Sequence, residues 1–138
     1  MISALLTTRD RESLLQDALA SVLAQTRLPD EIVVVDDGSC DGTPAALARA
    51  AALSPVPFRL IRHERPRGIS ASRNIAIRAA AGAWVALLDD DDLWQPEKLA
   101  RQERYHRENP GVPLSYTDEL WLRDGQRVNP CDRHRKSG

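Results

Sequence analysis

Apolar and polar positions along the chain switch repeatedly between short continuous runs and helical spacing. "ISALLT" is a short apolar run fit for a buried strand. Leu14, Leu15, Ala18, Leu19, Val22 and Leu23 then recur on one helical face, with Arg11, Glu12, Gln16 and Asp17 on the other. "EIVVVDD" has the strongest strand pattern, β-branched through its middle. Thr43 followed by Pro44 predicts a helix start, cap then first-turn proline, continued by an alanine-rich stretch to about Leu53. "PFRLIRH" reads as a third strand. Ser70 or Ser72 begins a helix running through Ile75 and Ile77 to Ala81, with Gly82 placed to end it. "WVALL" is a fourth strand, and Pro96 to about Glu108 the next helix, closed by Asn109-Pro110. "VPLSYT" and "ELWLRDGQRV" follow, the latter with a hairpin turn at Asp124-Gly125.

Strands alternating with helices, the strands continuously apolar, predict an α/β fold: a mainly parallel sheet with helices on both faces. Ligands of such sheets bind beyond the carboxyl ends of the strands. Two of those ends are acidic here, Asp36-Asp37 after the second strand and Asp89 to Asp92 after the fourth. Right-handed crossovers bring both to the same edge of the sheet.

Composition narrows the class. The 138 residues suit one domain spanning 1–138. A net charge of -1 lacks the basic footprint of a nucleic-acid binder, although Arg62, Arg65, Arg67 and Arg73 make one region locally positive. Cys40 and Cys131 form no CxxC pair and read as reduced thiols. No apolar run approaches the roughly 20 residues that span a bilayer, and "MISALLTTRD" has no charged leader or cleavage site. The expectation is a cytoplasmic protein, with peripheral membrane association left open. His63, His106 and His134 show no metal-ligand spacing and are assigned ordinary surface or edge roles.

Four consecutive aspartates after an apolar strand are the chemical puzzle. Adjacent carboxylates repel by roughly 1 kcal/mol per close pair in water, and by more where water is scarce. A helix cap in a solvated loop explains one of them, such as Asp92. The others require a positive partner, and a divalent cation, Mg2+ or Mn2+, takes oxygen ligands and shares them with phosphates. Both Asp89/Asp91 and Asp90/Asp92 have D-x-D spacing, so spacing does not choose between them. A bound cation would stabilise negative charge on a departing phosphate. Elsewhere, Asp36 is expected to tie down the loop "GSCDGT", Asp41 to serve a turn or cap, and Trp94 to pack against the sheet. "DDGS" is not a P-loop, because no Gly-Lys-Ser/Thr follows. Arg65 and Arg67 either face solvent or neutralise a diphosphate.

Three blocks, "DDGSCDGT", "GISASRN" and "LDDDD", together with "ASVLAQTRLPDEI", resemble the family 2 glycosyltransferases of GT-A fold over residues 2 to at least 124. The resemblance implies metal-dependent, inverting transfer of a sugar from a nucleotide-diphosphate donor, expected to be UDP-linked, to an acceptor hydroxyl on a sugar, lipid-linked sugar or protein. It implies that Asp37 binds the nucleotide base, that Arg73 lies near base and diphosphate, and that Asp90 faces the ribose. It makes Asp91 the direct metal ligand and Asp89 the first position of its motif. The loop with Thr7 and Arg9 lines the base pocket, Arg9 standing where relatives carry an aromatic residue; a guanidinium also stacks on a base. The general base and acceptor site are expected beyond Gly138, so the catalytic base is unknown, as is the oligomeric state. Competing readings are a nucleotide-binding module without catalysis, a haloacid-dehalogenase-type phosphatase, and a nucleotidyltransferase. The phosphatase would want its D-x-D after the first strand, where "TTRD" stands. A receiver domain would want a lone aspartate and a late lysine.

Overall fold

The computed structural model describes residues 1–123 and 125–128. Strands β1 (Ile2–Thr8), β2 (Glu31–Asp36), β3 (Phe58–Arg62) and β4 (Trp84–Asp89) alternate with helices α1 (Glu12–Leu23), α2 (Thr43–Leu53), α3 (Ile69–Ala79) and α4 (Lys98–Glu108). The four strands form one parallel sheet in the order β3-β2-β1-β4. A separate antiparallel pair, β5 (Trp121–Arg123) and β6 (Gln126–Val128), forms the expected hairpin; Asp124 of its turn lies outside the described residues.

Position in the sheet explains the sequence pattern. β1 and β2 are the inner strands and have both faces covered, so nearly every residue is buried and the runs read as continuously apolar. β3 and β4 are edges and half-exposed, which is why "FRLIR" tolerates two arginines. On one face Ala4, Leu6, Ile32, Val34 and Leu88 pack against Leu15, Ala18 and Val22 of α1, Leu47 of α2, Leu99 of α4, and Trp94. On the other, Leu5, Val33 and Val35 meet Ala76 of α3, with Ile75 and Ala79 alongside. Each such aliphatic side chain contributes about 1.5–3 kcal/mol by leaving water. Trp94 is thus a core residue, as expected. Among the described residues no helix is long and apolar enough to cross a membrane.

Helix starts differ from the sequence expectation. α2 is capped by Gly42, not Thr43, and Asp41 serves the turn by accepting the Thr43 N–H at 2.9 Å. α3 begins at Ile69 behind Gly68, ahead of both candidate serines. Gly82 does not end α3, whose cap is Ala80. Its role is close approach: a β-carbon there would fall 2.8 Å from the Ser3 backbone nitrogen, and its N–H donates to Ser3 Oγ at 2.9 Å. Serine and threonine propensities mark a cap only where their oxygens find an N–H; these turns are closed by glycine backbone instead.

Gly38 has φ 77°, and a β-carbon there would stand 3.1 Å from Pro66 N and 3.2 Å from Arg65 C. Gly38→Ala is expected to destabilise the chain by about 1–2 kcal/mol, combining left-handed strain with a backbone clash. Urea denaturation followed by circular dichroism checks this, and a change within 0.5 kcal/mol would show that the loop simply moves aside.

Candidate functional site

Strand register fixes where chemistry can occur. Thr8 stands opposite Asp36 and Thr7 opposite Asp89, so both acidic strand ends reach the same edge. The chain runs outward through β1, β2 and β3, then returns to place β4 on the other side of β1. The crevice of a doubly wound sheet opens at such a reversal. Because β1 intervenes, the ends of β2 and β4 lie roughly 10 Å apart.

The β2 end is built around two buried aspartates. Asp36 accepts the Ser39 N–H at 2.9 Å, tying down the following loop as its pattern suggested, and Arg62 Nε stands 3.3 Å from its other oxygen. Asp37 Oδ1 accepts the Arg67 N–H at 2.8 Å and meets His63 Nδ1 at 2.8 Å, while Oδ2 accepts the Gly68 N–H at 2.8 Å. Burial pushes this carboxyl toward its neutral form. The bonds from His63 and the two amides outweigh that, and its pKa falls from 3.8 to about 2. Asp37 is therefore an anion that pins residues 63–68, the lead-in to α3. Against the expectation of an ordinary surface or edge role, His63 is 6% exposed, with Nε2 buried and unpartnered among the described residues.

The loop after β1 is stitched to the loop after β2. Asp10, at φ 51°, accepts the Cys40 N–H at 2.7 Å and donates its own N–H to Ser39 Oγ at 2.9 Å. Cys40 is a free, exposed thiol; Cys131 and His134 lie outside the described residues. His106, half-buried, stacks on Trp84 at 4.0 Å and bonds Val112 O and Ser115 Oγ, a packing role remote from the acidic edge.

The acidic loop has its positive partners within the protein. Arg11 Nη1 lies 3.1 Å from Asp90 Oδ1 and 2.8 Å from Asp91 Oδ2, and Arg73 of α3 pairs with Asp89. The guanidinium of Arg11, bonded to Asp91 and beside Asp90, is held above its usual pKa. Asp90 is buried, whereas the Asp91 side chain is 51% exposed. The turn closes through Asp92 N–H to Asp89 O at 3.1 Å. Of the expected residues, Thr7 stands opposite Asp89 in the sheet and Arg73 pairs with Asp89. Asp90 and Asp91 share Arg11, and Asp37 stands across β1. Arg9 is exposed, its Nε 3.4 Å from Asp10 Oδ2, and adjoins the same loop. Helical spacing places Arg11 only on the polar face of α1. The charge excess of four aspartates called for such a partner, but local pattern does not say which arginine supplies it.

The donor set suits a shared cation. Asp89 and Asp91 offer hard, half-exposed carboxylate oxygens. Among the described residues no three acidic, histidine or cysteine side chains converge to hold an ion. An ion here would take its remaining positions from a ligand or water, as magnesium does with phosphates.

The model for glycosyl transferase family 2 matches residues 3–117. Succinoglycan biosynthesis protein ExoO of Rhizobium meliloti (strain 1021) is 46% identical over 112 residues, covering 80% of this chain and 31% of that protein. UDP-Glc:alpha-D-GlcNAc-diphosphoundecaprenol beta-1,3-glucosyltransferase WfgD of Escherichia coli is 31% identical over 102 residues, 74% of this chain and 39% of the relative. The chain thus spans about a third of the length of these curated relatives. Among solved structures, S. aureus TarS 1-349 in complex with UDP superposes with TM-score 0.73 at 26% identity, over 86% of this chain and 40% of that one. The mannosyltransferase PcManGT from Pyrobaculum calidifontis, in complex with GDP-Man and Mn2+, gives TM-score 0.71 at 30% identity, over 81% and 32%. The parallel sheet is that of a GT-A fold, and the chain belongs to glycosyl transferase family 2.

Proposed function

We propose that the chain is the donor-binding part of an inverting glycosyltransferase that takes a nucleotide-diphosphate sugar, UDP-linked, with a divalent cation. The observation that carries this reading is the gathering of Asp37, Asp89, Asp90 and Asp91 at the switch-point edge, two strands apart, with arginines bonded to the last three. The UDP complex of TarS and the GDP-Man and Mn2+ complex of PcManGT support it by similarity.

In this reading Asp37 fixes residues 63–68 and offers its remaining lone pair to the base N–H. Thr7 and Arg9 border the base, the guanidinium of Arg9 lying against its face. Arg73 orients Asp89 and faces the diphosphate, and Asp90 meets the ribose. Asp91, with Asp89, would hold Mg2+ or Mn2+, which when bound supplies positive charge against the departing diphosphate. The acceptor hydroxyl forms its bond to the anomeric carbon as the carbon–oxygen bond to the diphosphate breaks, the electron pair leaving with the diphosphate. The hydroxyl proton needs a base. In this reading Asp37, Asp89, Asp90 and Asp91 are taken up by the nucleotide base, the cation or the ribose, and another group serves as the base. The names of ExoO and WfgD support an acceptor in polysaccharide assembly.

Isothermal titration of UDP into the protein with Mn2+, and again with EDTA, tests the reading. Binding is expected only with Mn2+ and tighter for UDP than for GDP. Equal binding in EDTA would remove the cation from the site, and no binding in either condition would remove the nucleotide.

A further inference from the structure

We infer that Arg11 is the resident counter-ion of the acidic loop, closing it through Asp90 and Asp91 until a divalent cation displaces the guanidinium. This rests on the reading of the loop as a cation site and adds a positioning residue that governs access to it. One nitrogen, Nη1, bonds both carboxylates at once, at 3.1 Å and 2.8 Å. It therefore occupies the point on which Asp90 and Asp91 converge. A metal ion on the same Asp91 oxygen, at roughly 2.0–2.6 Å, leaves no room for a guanidinium at hydrogen-bond distance on that side. The two compete for its lone pairs.

The surroundings are arranged for exchange without unfolding. The Arg11 backbone is held at both ends, its N–H on Thr43 Oγ1 at 3.3 Å and its carbonyl accepting the Leu15 N–H at 3.0 Å. Its side chain is 46% exposed, so the guanidinium can swing into water while the backbone stays fixed. Asp89 keeps its own partner, Arg73, from the opposite face of the sheet. Release of Arg11 thus frees Asp91 without leaving the whole cluster unpaired.

Mn2+ alone, titrated into the chain and followed by the electron paramagnetic resonance signal of the free ion, tests this without nucleotide or turnover. Arg11→Gln is expected to bind Mn2+ roughly five- to tenfold more tightly than the parent, the competition of a half-exposed ion pair having been removed. Arg11→Lys, which keeps the charge but loses the fork, should fall between them. Arg49→Gln removes a positive charge that pairs with Glu12 rather than with the loop, and should stay within twofold. A structural role for Arg11 would not tighten binding. The inference is overturned if the parent binds Mn2+ and Arg11→Gln binds equally or less tightly, or if Arg49→Gln tightens binding as much. If neither parent nor variants bind Mn2+, the cation reading itself falls, a distinct pattern that takes this inference with it. Should Arg11→Gln lose its folded circular dichroism spectrum, Arg11→Lys decides: affinity equal to or below the parent's overturns the proposal.

Discussion

Replacing Asp91 by asparagine is expected to weaken manganese-dependent UDP binding by about 30- to 100-fold, the upper part of the range found when even outer partners of a metal site are removed. The substitution keeps the shape of the side chain and deletes one negative charge at a half-exposed carboxylate of the loop. It also halves the double attachment of Arg11, leaving Asp90 as the remaining carboxylate on that guanidinium. Circular dichroism checks that the variant stays folded, and in EDTA neither parent nor variant should bind UDP. An affinity within threefold of the parent in Mn2+ would take the ion away from Asp91.

Asparagine at position 37 is expected to cost about 3 kcal/mol of stability, lowering the melting temperature by roughly 10 °C. The two oxygens of Asp37 receive three donors inside the protein. An amide presents one oxygen and one NH2, so either the Gly68 N–H or the pair from His63 and Arg67 would face another donor. The same geometry gives a pH signature. A carboxyl lowered from 3.8 to about 2 contributes about 2.5 kcal/mol that is fully present above pH 4 and is lost as pH falls toward 2. Denaturation midpoints measured between pH 2 and 6 should therefore fall more steeply for the parent than for Asp37→Asn. Parallel curves would assign the acid sensitivity to other carboxylates.

The inner strands and the acidic edge were legible in the sequence because both express one-dimensional rules. A strand covered on both faces is apolar throughout, as in "ISALLT" and "IVVV", and a parallel strand ending in aspartates exposes them at the ligand edge. The demand for positive charge beside Asp89 to Asp92 was legible for the same reason. Its answer was not, because Arg11 reaches Asp90 across 79 residues of chain. His63 meets Asp37 across 26 residues, and nothing in "LIRHERP" distinguishes a histidine turned inward from one turned out. The misplaced helix starts have a local cause: Gly42 and Gly68 cap with backbone alone, so neighbouring serines and threonines gave a false signal.

Pairing Ile2 with Trp84 has a consequence for the order in which the molecule comes together. At about 5–20 residues per second of synthesis, β1 and β2 emerge several seconds before β4 does. During that interval β1 has one ladder satisfied and the other open, and the sheet waits for its last strand. Closing so long a loop is entropically the most demanding step of assembly. The aspartates ride on that strand, so three like charges reach Arg11 and Arg73 only after both arginines and the other three strands of the sheet have been made.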